Sequence, residues 1–159
     1  MCSNIKILVM DVDGTLTDGK IYMGNDGEAI KAFNIKDGYG IHNILIPTGV
    51  TPAIITGRTS QIVENRCKEL GITELHQGVS DKLEILERIL IRMNLSYPDV
   101  AYIGDDSNDL DCMKKIRGNG GVVGCPADAI KQIVESVDFV SSKDGGEGAV
   151  REFIEWLLD

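Results

Sequence analysis

The amino-acid sequence predicts an α/β protein built on a doubly wound, mostly parallel β-sheet with helices on both faces. One observation is that short apolar runs alternate along the whole chain with segments whose apolar residues recur at helical spacing. A second is that the first run is continuously apolar, as expected for a strand buried on both faces. A third is that polar residues directly follow several runs, where open α/β sheets place their functional sites.

The strands are predicted from the apolar runs. Ile5–Met10 is the first, and Gly14 lets the backbone turn beyond it. The later runs predict strands at 52–55, 74–76, 99–103, 121–124 and 138–140.

Helices are predicted between the strands wherever apolar side chains recur at helical spacing. They cover about 38–46, about 60–70, a span from a cap at Ser80 to about Met93, a segment with Met113 and Ile116, about 127–136, and a final segment through Trp156. Pro47 and Gly71 end the first two. Residues expected to face the core include Ile41, Ile44, Leu45, Val63, Cys67, Leu70, Leu83, Leu86, Leu90 and Met93.

A β-hairpin is predicted within about residues 18–35. Two short extended runs, 20–23 and 28–33, flank an Asn-Asp-Gly turn. The hairpin carries apolar side chains that lie outside the predicted core, namely Ile21, Tyr22, Met23 and Phe33. Because an isolated two-stranded hairpin is marginally stable in water, we expect these side chains to meet a partner surface.

Composition limits the function classes. The 159 residues suit a single domain, 1–159, and the net charge of −9 argues against a nucleic-acid surface. No apolar run reaches the roughly 18 residues that a membrane helix needs, and the start of the chain does not resemble a signal peptide. Four scattered cysteines and two histidines form a poor zinc set, and a reducing cytoplasm is the simplest location.

Two carboxylates mark the end of the first predicted strand. Asp11 and Asp13 lie one residue apart and precede Gly14. They are placed where a site is expected, although similar pairs also occur in ordinary turns.

Three further polar clusters follow later strands. The first is Thr56-Gly57-Arg58, and the last is the acidic run that begins with Asp105 and Asp106 and includes Asp109. Between them, Lys82 lies in the first turn of a helix, where the helix dipole disfavours a cation, so an anion is expected beside it. Each cluster alone is weak, but their order along the chain makes chance assembly improbable.

The four clusters together resemble the catalytic motifs of the haloacid dehalogenase superfamily, whose fold is Rossmann-like. The resemblance implies that Asp11 attacks phosphorus and that Asp13 is the general acid/base. It implies Mg²⁺ ligands from Asp11, the Asp13 carbonyl and Asp105. Thr56 and the Gly57 N–H would bind phosphate oxygens and Lys82 would add positive charge, with either Asp106 or Asp109 orienting Lys82 or a metal-bound water.

The whole chain is similar to the capless branch that contains 3-deoxy-D-manno-octulosonate 8-phosphate phosphatase. The matching stretches are 11–19, 33–38, 55–58, 77–78, 81–82, 104–106 and 145–152. The spacing between clusters leaves no room for a separate cap domain. The resemblance implies a homotetramer whose hairpins cover neighbouring sites, and it gives as substrate contacts Gly14, Asn34, Asp37, Gly38, Gly57, Arg58 and Arg66.

Other substrates and roles stay open from the sequence. Sister enzymes act on nonulosonate 9-phosphates, and a related domain serves as an assembly module in some sialic-acid cytidylyltransferases. The silent-module hypothesis predicts loss of Asp11, Asp13 or Asp105, and all three are present. We therefore expect a Mg²⁺-dependent phosphatase for a small sugar-acid phosphate.

Overall fold

The protein is described by a computed structural model that covers residues 4–159. The strands are β1 Ile7–Met10, β2 Tyr22–Gly24, β3 Gly27–Ile30, β4 Thr51–Ile55, β5 Glu74–His76, β6 Val100–Ile103, β7 Val122–Cys125 and β8 Phe139–Val140. The α-helices are α1 Ile35–Tyr39, α2 Gln61–Leu70, α3 Lys82–Met93, α4 Leu110–Gly118, α5 Lys131–Val134 and α6 Ala149–Leu158. Within this part of the chain, no helix combines the length and apolar character needed to cross a membrane.

Six strands form one sheet in the order β5-β4-β1-β6-β7-β8, and every neighbouring pair is parallel. The chain builds outward from β1 on one side and then returns to add β6 on the other. This reversal leaves a crevice at the carboxyl ends of β1, β4 and β6. The prediction of a doubly wound α/β sheet is confirmed.

The core lies in two layers because successive side chains of a strand point to opposite faces. In β1, Leu8 and Met10 pack with α2 and α6, whereas Ile7 and Val9 pack with α3, α4 and α5. All four side chains are fully buried. Helices therefore cover both faces, which explains the continuously apolar sequence of β1.

The predicted hairpin is present as β2 and β3, an antiparallel pair that stands apart from the main sheet. Met23 and Ile30 on this hairpin are exposed, as are Ile35 and Tyr39 just beyond it. The hairpin thus carries apolar surface that this single chain leaves open to solvent.

The first helix begins earlier than predicted. Helical structure runs from Ile35, capped by the Asn34 side chain, through a π-helical segment at Gly40–Leu45 to a 3-10 turn at Ile46–Thr48. Glycines at 38 and 40 weaken the local helix signal. Close packing of α6 against this segment compensates for the weak signal. The contact is so close that a β-carbon on Gly40 would lie 2.9 Å from the Arg151 side chain.

Two other helix ends differ from the predictions. The cap of α3 is Asp81 and not Ser80, since the Asp81 carboxylate accepts the Glu84 N–H at 3.1 Å. The helix predicted over 127–136 is reduced to α5. Backbone bonds from Ala127 to Lys143 and from Ile130 to the Asp105 carbonyl direct the preceding residues away from helical geometry.

A glycine loop from the C-terminal part of the chain packs against the turn that follows β1. A β-carbon on Gly145 would lie 1.9 Å from the Gly14 carbonyl oxygen. The Gly146 N–H donates to the Thr15 carbonyl at 3.1 Å. The loop after β1 is thus held by a segment about 130 residues away in the sequence, since 145 − 14 is 131.

We expect Gly145→Ala to lower the free energy of unfolding by about 1–3 kcal/mol, because its methyl group overlaps the loop after β1. Turnover should fall with it. Gly118→Ala is the matched control, since a β-carbon there meets nothing within 4 Å. Chemical denaturation should show the control to be neutral or stabilised by up to about 1 kcal/mol. Equal stability of the two variants would contradict this account of the loop.

Candidate active site

An open cleft lies at the carboxyl edge of the sheet. It is lined by Asp11, Asp13, Thr56, Gly57, Arg58, Asp106, Ser107 and Asn108. The loops after β1, β4 and β6 meet here because parallel strands end at the same edge. The fold therefore brings together three of the polar clusters that the sequence spreads over nearly one hundred residues, and Lys82 reaches the same place from the start of α3.

Lys82 is buried between two carboxylates. Its Nζ donates to Asp11 Oδ1 and to Asp109 Oδ1, both at 2.8 Å. Burial opposes the positive charge, but Asp11 and Asp109 outweigh it, so that the pKa of Lys82 lies above its usual value. The anion expected beside Lys82 at this helix start is thus present, as the carboxylates of Asp11 and Asp109.

Asp109 is a fully buried carboxylate beneath the site. Its Oδ1 accepts the Tyr102 hydroxyl at 2.6 Å, and its Oδ2 accepts the backbone N–H groups of Asp105 and Asp106 at 3.1 and 3.3 Å. Burial and the Asp109 charge hold the pKa of Tyr102 well above its usual range, so Tyr102 remains a donor. Asp109 therefore fixes both Lys82 and the start of the acidic loop.

The choice between Asp106 and Asp109 as the support for Lys82 follows from these contacts. Asp109 bonds Lys82 directly, whereas the Asp106 carboxylate accepts the Ser107 N–H at 2.6 Å and lines the open cleft.

Tyr102 was not anticipated from the sequence. A single polar group inside an otherwise apolar strand was the available signal, because a buried hydroxyl needs a partner.

The carboxylates suit a divalent cation. Oxygen atoms from Asp11, Asp105 and Asp109 lie within 4.8 Å of one another. Burial, reinforced by the neighbouring carboxylates, raises the pKa of both Asp11 and Asp105. One ammonium group faces three carboxylates, so the cluster has a surplus of negative charge. Because donors already occupy the Asp109 oxygens, Asp11 and Asp105 are the members suited to bind a metal.

Gly14 has a packing role that explains its residue type. Its φ is +89°, and a β-carbon there would lie 2.0 Å from Asp105 Oδ2. The residue thus allows the Asp105 carboxylate to approach the loop after β1. Gly14 is absent from the cleft lining, whereas Gly57 is part of it; contact of either with substrate stays a prediction.

Four of the predicted substrate contacts surround a different cavity. Asn34, Asp37, Gly38 and Arg66 border a narrow, mainly apolar space beside α2. The Arg66 guanidinium lies 5.6 Å from the centre of the Phe33 ring. None of the four lines the cleft of the same chain, so their contact with substrate remains a prediction.

Asp37 has a clear structural partner. Its Oδ1 accepts the Arg151 N–H at 2.9 Å in the first turn of α6, where a negative charge is favourable. Burial nevertheless raises the pKa of Asp37 to about 6. The sequence placed this residue in a substrate motif, but its described contacts join α1 to α6.

Lys31 and Glu28 of the hairpin also reach the site, and neither was anticipated. Lys31 Nζ lies 2.5 Å from Asp13 Oδ1 and 3.0 Å from Glu28 Oε2. Glu28 in turn lies 3.9 Å from Arg58. These contacts connect the hairpin with the loops after β1 and β4 within one chain.

Comparisons with known proteins agree with this geometry. No family model matches the chain. It is 46% identical over 155 residues to the 3-deoxy-D-manno-octulosonate 8-phosphate phosphatase KdsC of Escherichia coli (strain K12), covering 98% of this chain and 80% of that protein. The chain belongs to the 3-deoxy-D-manno-octulosonate 8-phosphate phosphatase family. The resemblance inferred from the sequence is thereby confirmed.

Solved structures of this family share the fold. The phosphatase from Yersinia pestis is 43% identical with a TM-score of 0.91, covering 99% of this chain and 82% of its own. The Moraxella catarrhalis phosphatase, in complex with magnesium ion, phosphate ion and KDO, is 39% identical with a TM-score of 0.91 and coverages of 99% and 87%. The predicted haloacid dehalogenase fold is confirmed.

Proposed function

We propose that the protein is a Mg²⁺-dependent phosphatase that hydrolyses 3-deoxy-D-manno-octulosonate 8-phosphate through an aspartyl-phosphate. The observation that carries this proposal is the position of Asp11, which lies at the cleft with one carboxylate oxygen bonded to Lys82. The Asp11 carboxylate is held at the end of β1, where it can attack a phosphate bound in the cleft. Membership of the phosphatase family supports the same chemistry.

The reaction proceeds in two steps on this chain's residues. The Asp11 carboxylate forms a bond to phosphorus as the bond to the sugar oxygen breaks, and Asp13 gives that oxygen its proton. Asp13 then removes a proton from water, whose oxygen attacks phosphorus and releases inorganic phosphate from Asp11. Asp11 is thereby restored as the carboxylate and Asp13 as the protonated acid.

The groups around Asp11 offset negative charge during phosphoryl transfer. Lys82 offsets the charge of Asp11, so the nucleophile is less strongly repelled by the phosphate. Thr56 and Gly57 line the cleft, and the Thr56 hydroxyl and the Gly57 N–H would donate to phosphate oxygens. A bound Mg²⁺, held by Asp11, Asp105 and the Asp13 carbonyl, would neutralise further charge on those oxygens.

The substrate assignment rests on the relatives and on Arg58. The relatives are named for the octulosonate phosphate, and one is solved with KDO. Arg58 lines the cleft with its side chain 51% exposed, and a guanidinium can bind a sugar carboxylate in bidentate fashion.

The direct test is a hydrolysis screen over sugar-acid phosphates, including a nonulosonate 9-phosphate, with EDTA and with added Mg²⁺. We expect the octulosonate 8-phosphate to give the highest kcat/KM, EDTA to stop phosphate release and Mg²⁺ to restore it. Robust activity in metal-free buffer would contradict the ligand set. A higher kcat/KM for the 9-phosphate would overturn the substrate assignment.

We further propose that residues 1–159 form one domain that acts in the cytoplasm as a homotetramer. The support for assembly is the exposed hairpin, where the Met23 side chain is 64% exposed and Ile30 is 56% exposed. Burying such side chains contributes about 1.5–3 kcal/mol each before association costs are subtracted.

Deleting residues 22–31 and joining the ends with Gly-Ser is expected to shift light scattering from tetramer towards smaller species. KM for the sugar phosphate should rise at least about tenfold, because without a cap domain a neighbour's hairpin is needed to close the site. Substitution of exposed Lys114 by Met serves as the assembly control. A wild-type monomer with full activity at nanomolar concentration would overturn this account.

A further inference from the structure

A lysine of the hairpin is buried against the carboxylate assigned as general acid/base. The Lys31 side chain is only 2% exposed, and its Nζ donates to Asp13 Oδ1 at 2.5 Å and to Glu28 Oε2 at 3.0 Å. Among residues 4–159, Lys31 is the one side chain that hydrogen-bonds to the Asp13 carboxylate. Asp13 itself remains 21% exposed and lines the cleft.

These contacts fix Oδ1 of Asp13, whose side chain is part of the cleft lining. A buried ammonium is retained where its charge is compensated, and the Glu28 carboxylate supplies that charge here, while Asp13 Oδ1 accepts a further hydrogen bond from Lys31. Glu28 therefore anchors the Lys31 ammonium from the hairpin side, and the same ammonium donates a second hydrogen bond to Asp13. A general acid must lie within hydrogen-bond reach of the oxygen it protonates, so restricting Asp13 to one orientation favours proton transfer.

We propose that Lys31, anchored by Glu28, is a positioning residue that holds Asp13 ready to protonate the leaving oxygen. This inference rests on the proposed phosphatase function. As the bond between phosphorus and the leaving oxygen breaks, Asp13 supplies the proton and Asp11 takes the phosphoryl group. Lys31 exchanges no proton and acts only through Asp13.

The role predicts a dependence on the leaving group. A 4-nitrophenolate ion is a weak base that departs without a proton, whereas the alkoxide released from benzyl phosphate is a strong base that requires one. Both phosphates carry a single ring and lack the sugar groups, so they differ mainly in their need for general acid catalysis. The constant kcat/KM reports the first irreversible step, in which the leaving group departs.

Lys31→Met preserves the apolar stem and removes the ammonium. We expect it to lower kcat/KM at least about tenfold for benzyl phosphate, within the range attributed to general acid catalysis, and less than about threefold for 4-nitrophenyl phosphate. Lys114→Met is the matched control, because Lys114 is an exposed lysine of α4 and lies outside the hairpin. It should change neither constant by more than about twofold.

A mutant cycle separates positioning from general loosening of the hairpin. In an Asp13→Ala background, Lys31→Met should cause no further loss with benzyl phosphate, because its effect passes through the missing carboxylate. Lys31→Arg should recover part of the loss, and light scattering should show unchanged assembly. Equal losses for both phosphates, or a further loss in the Asp13→Ala background, would overturn the role of Lys31. If the wild-type protein hydrolyses neither these phosphates nor a sugar phosphate, the proposed phosphatase function is wrong, and the role of Lys31 is wrong with it.

Discussion

Replacing Asp11 with asparagine is expected to lower kcat at least about 10⁴-fold, because the amide cannot attack phosphorus and no neighbouring group has the same position. Lys82 already uses one Asp11 oxygen, and Asp109 is enclosed by its own donors. Asp109 therefore cannot replace Asp11 as the nucleophile. Stopped assays of phosphate release, under conditions that prevent deamidation, would measure the change.

The same variant should keep its fold. Asparagine has the size of aspartate, and removing one charge relieves a cluster in which burial and Asp109 raise the pKa of Asp11. The free energy of unfolding should stay within about 1 kcal/mol of wild type, as for other near-isosteric changes that leave the packing intact. Turnover within tenfold of wild type would refute the aspartyl-phosphate mechanism.

Replacing Lys82 with methionine is expected to damage both stability and activity. It leaves Asp11 and Asp109 buried without their shared cation, and breaking a buried pair in this way costs about 3–5 kcal/mol. Loss of the positive charge beside the nucleophile should lower kcat by about 10²–10³-fold. Lys114→Met, at an exposed position, is the stability control and should stay within about 0.5 kcal/mol.

The stability deficit of Lys82→Met should grow with pH. The pKa of Asp11 is already raised in the folded state and rises further without Lys82, so the folded variant binds more protons than the unfolded chain. Stability then falls as pH rises above the ordinary carboxyl value of 3.8. Denaturation in metal-free buffer should give a larger deficit at pH 8 than at pH 5. A deficit independent of pH would contradict this origin.

A second substitution distinguishes charge from packing. Adding Asp11→Asn to Lys82→Met removes one of the stranded charges and should restore part of the stability while activity stays absent. If the double variant is as unstable as Lys82→Met alone, the loss comes from packing of the lysine stem. That result would remove the electrostatic explanation for the deficit.

The sequence by itself determined the fold class and which polar clusters meet at one edge of the sheet. Buried parallel strands need continuous apolar runs, so β1, β4 and β6 were visible locally. Because parallel strands end at one edge, polar residues that follow such runs, as Asp11, Thr56 and Asp106 do, are expected to converge. Convergence followed from topology and required no knowledge of distances.

Only the tertiary structure decided which groups touch one another. Asp106 and Asp109 are equally acidic in the sequence, but burial beside Tyr102 makes Asp109 the partner of Lys82. Asp37 lies in a motif associated with substrate, yet its described bond is to the first turn of α6. These outcomes depend on contacts between residues far apart in the chain, which a local pattern does not encode.

The hairpin shows the same division most clearly. Its Asn-Asp-Gly turn and flanking runs predicted β2 and β3 because turn chemistry is local. The burial of Lys31 against Asp13 was not predictable, since an isolated lysine after a strand usually extends into solvent. That contact depends on the position of the hairpin relative to the loop after β1, and packing of the whole chain sets this position.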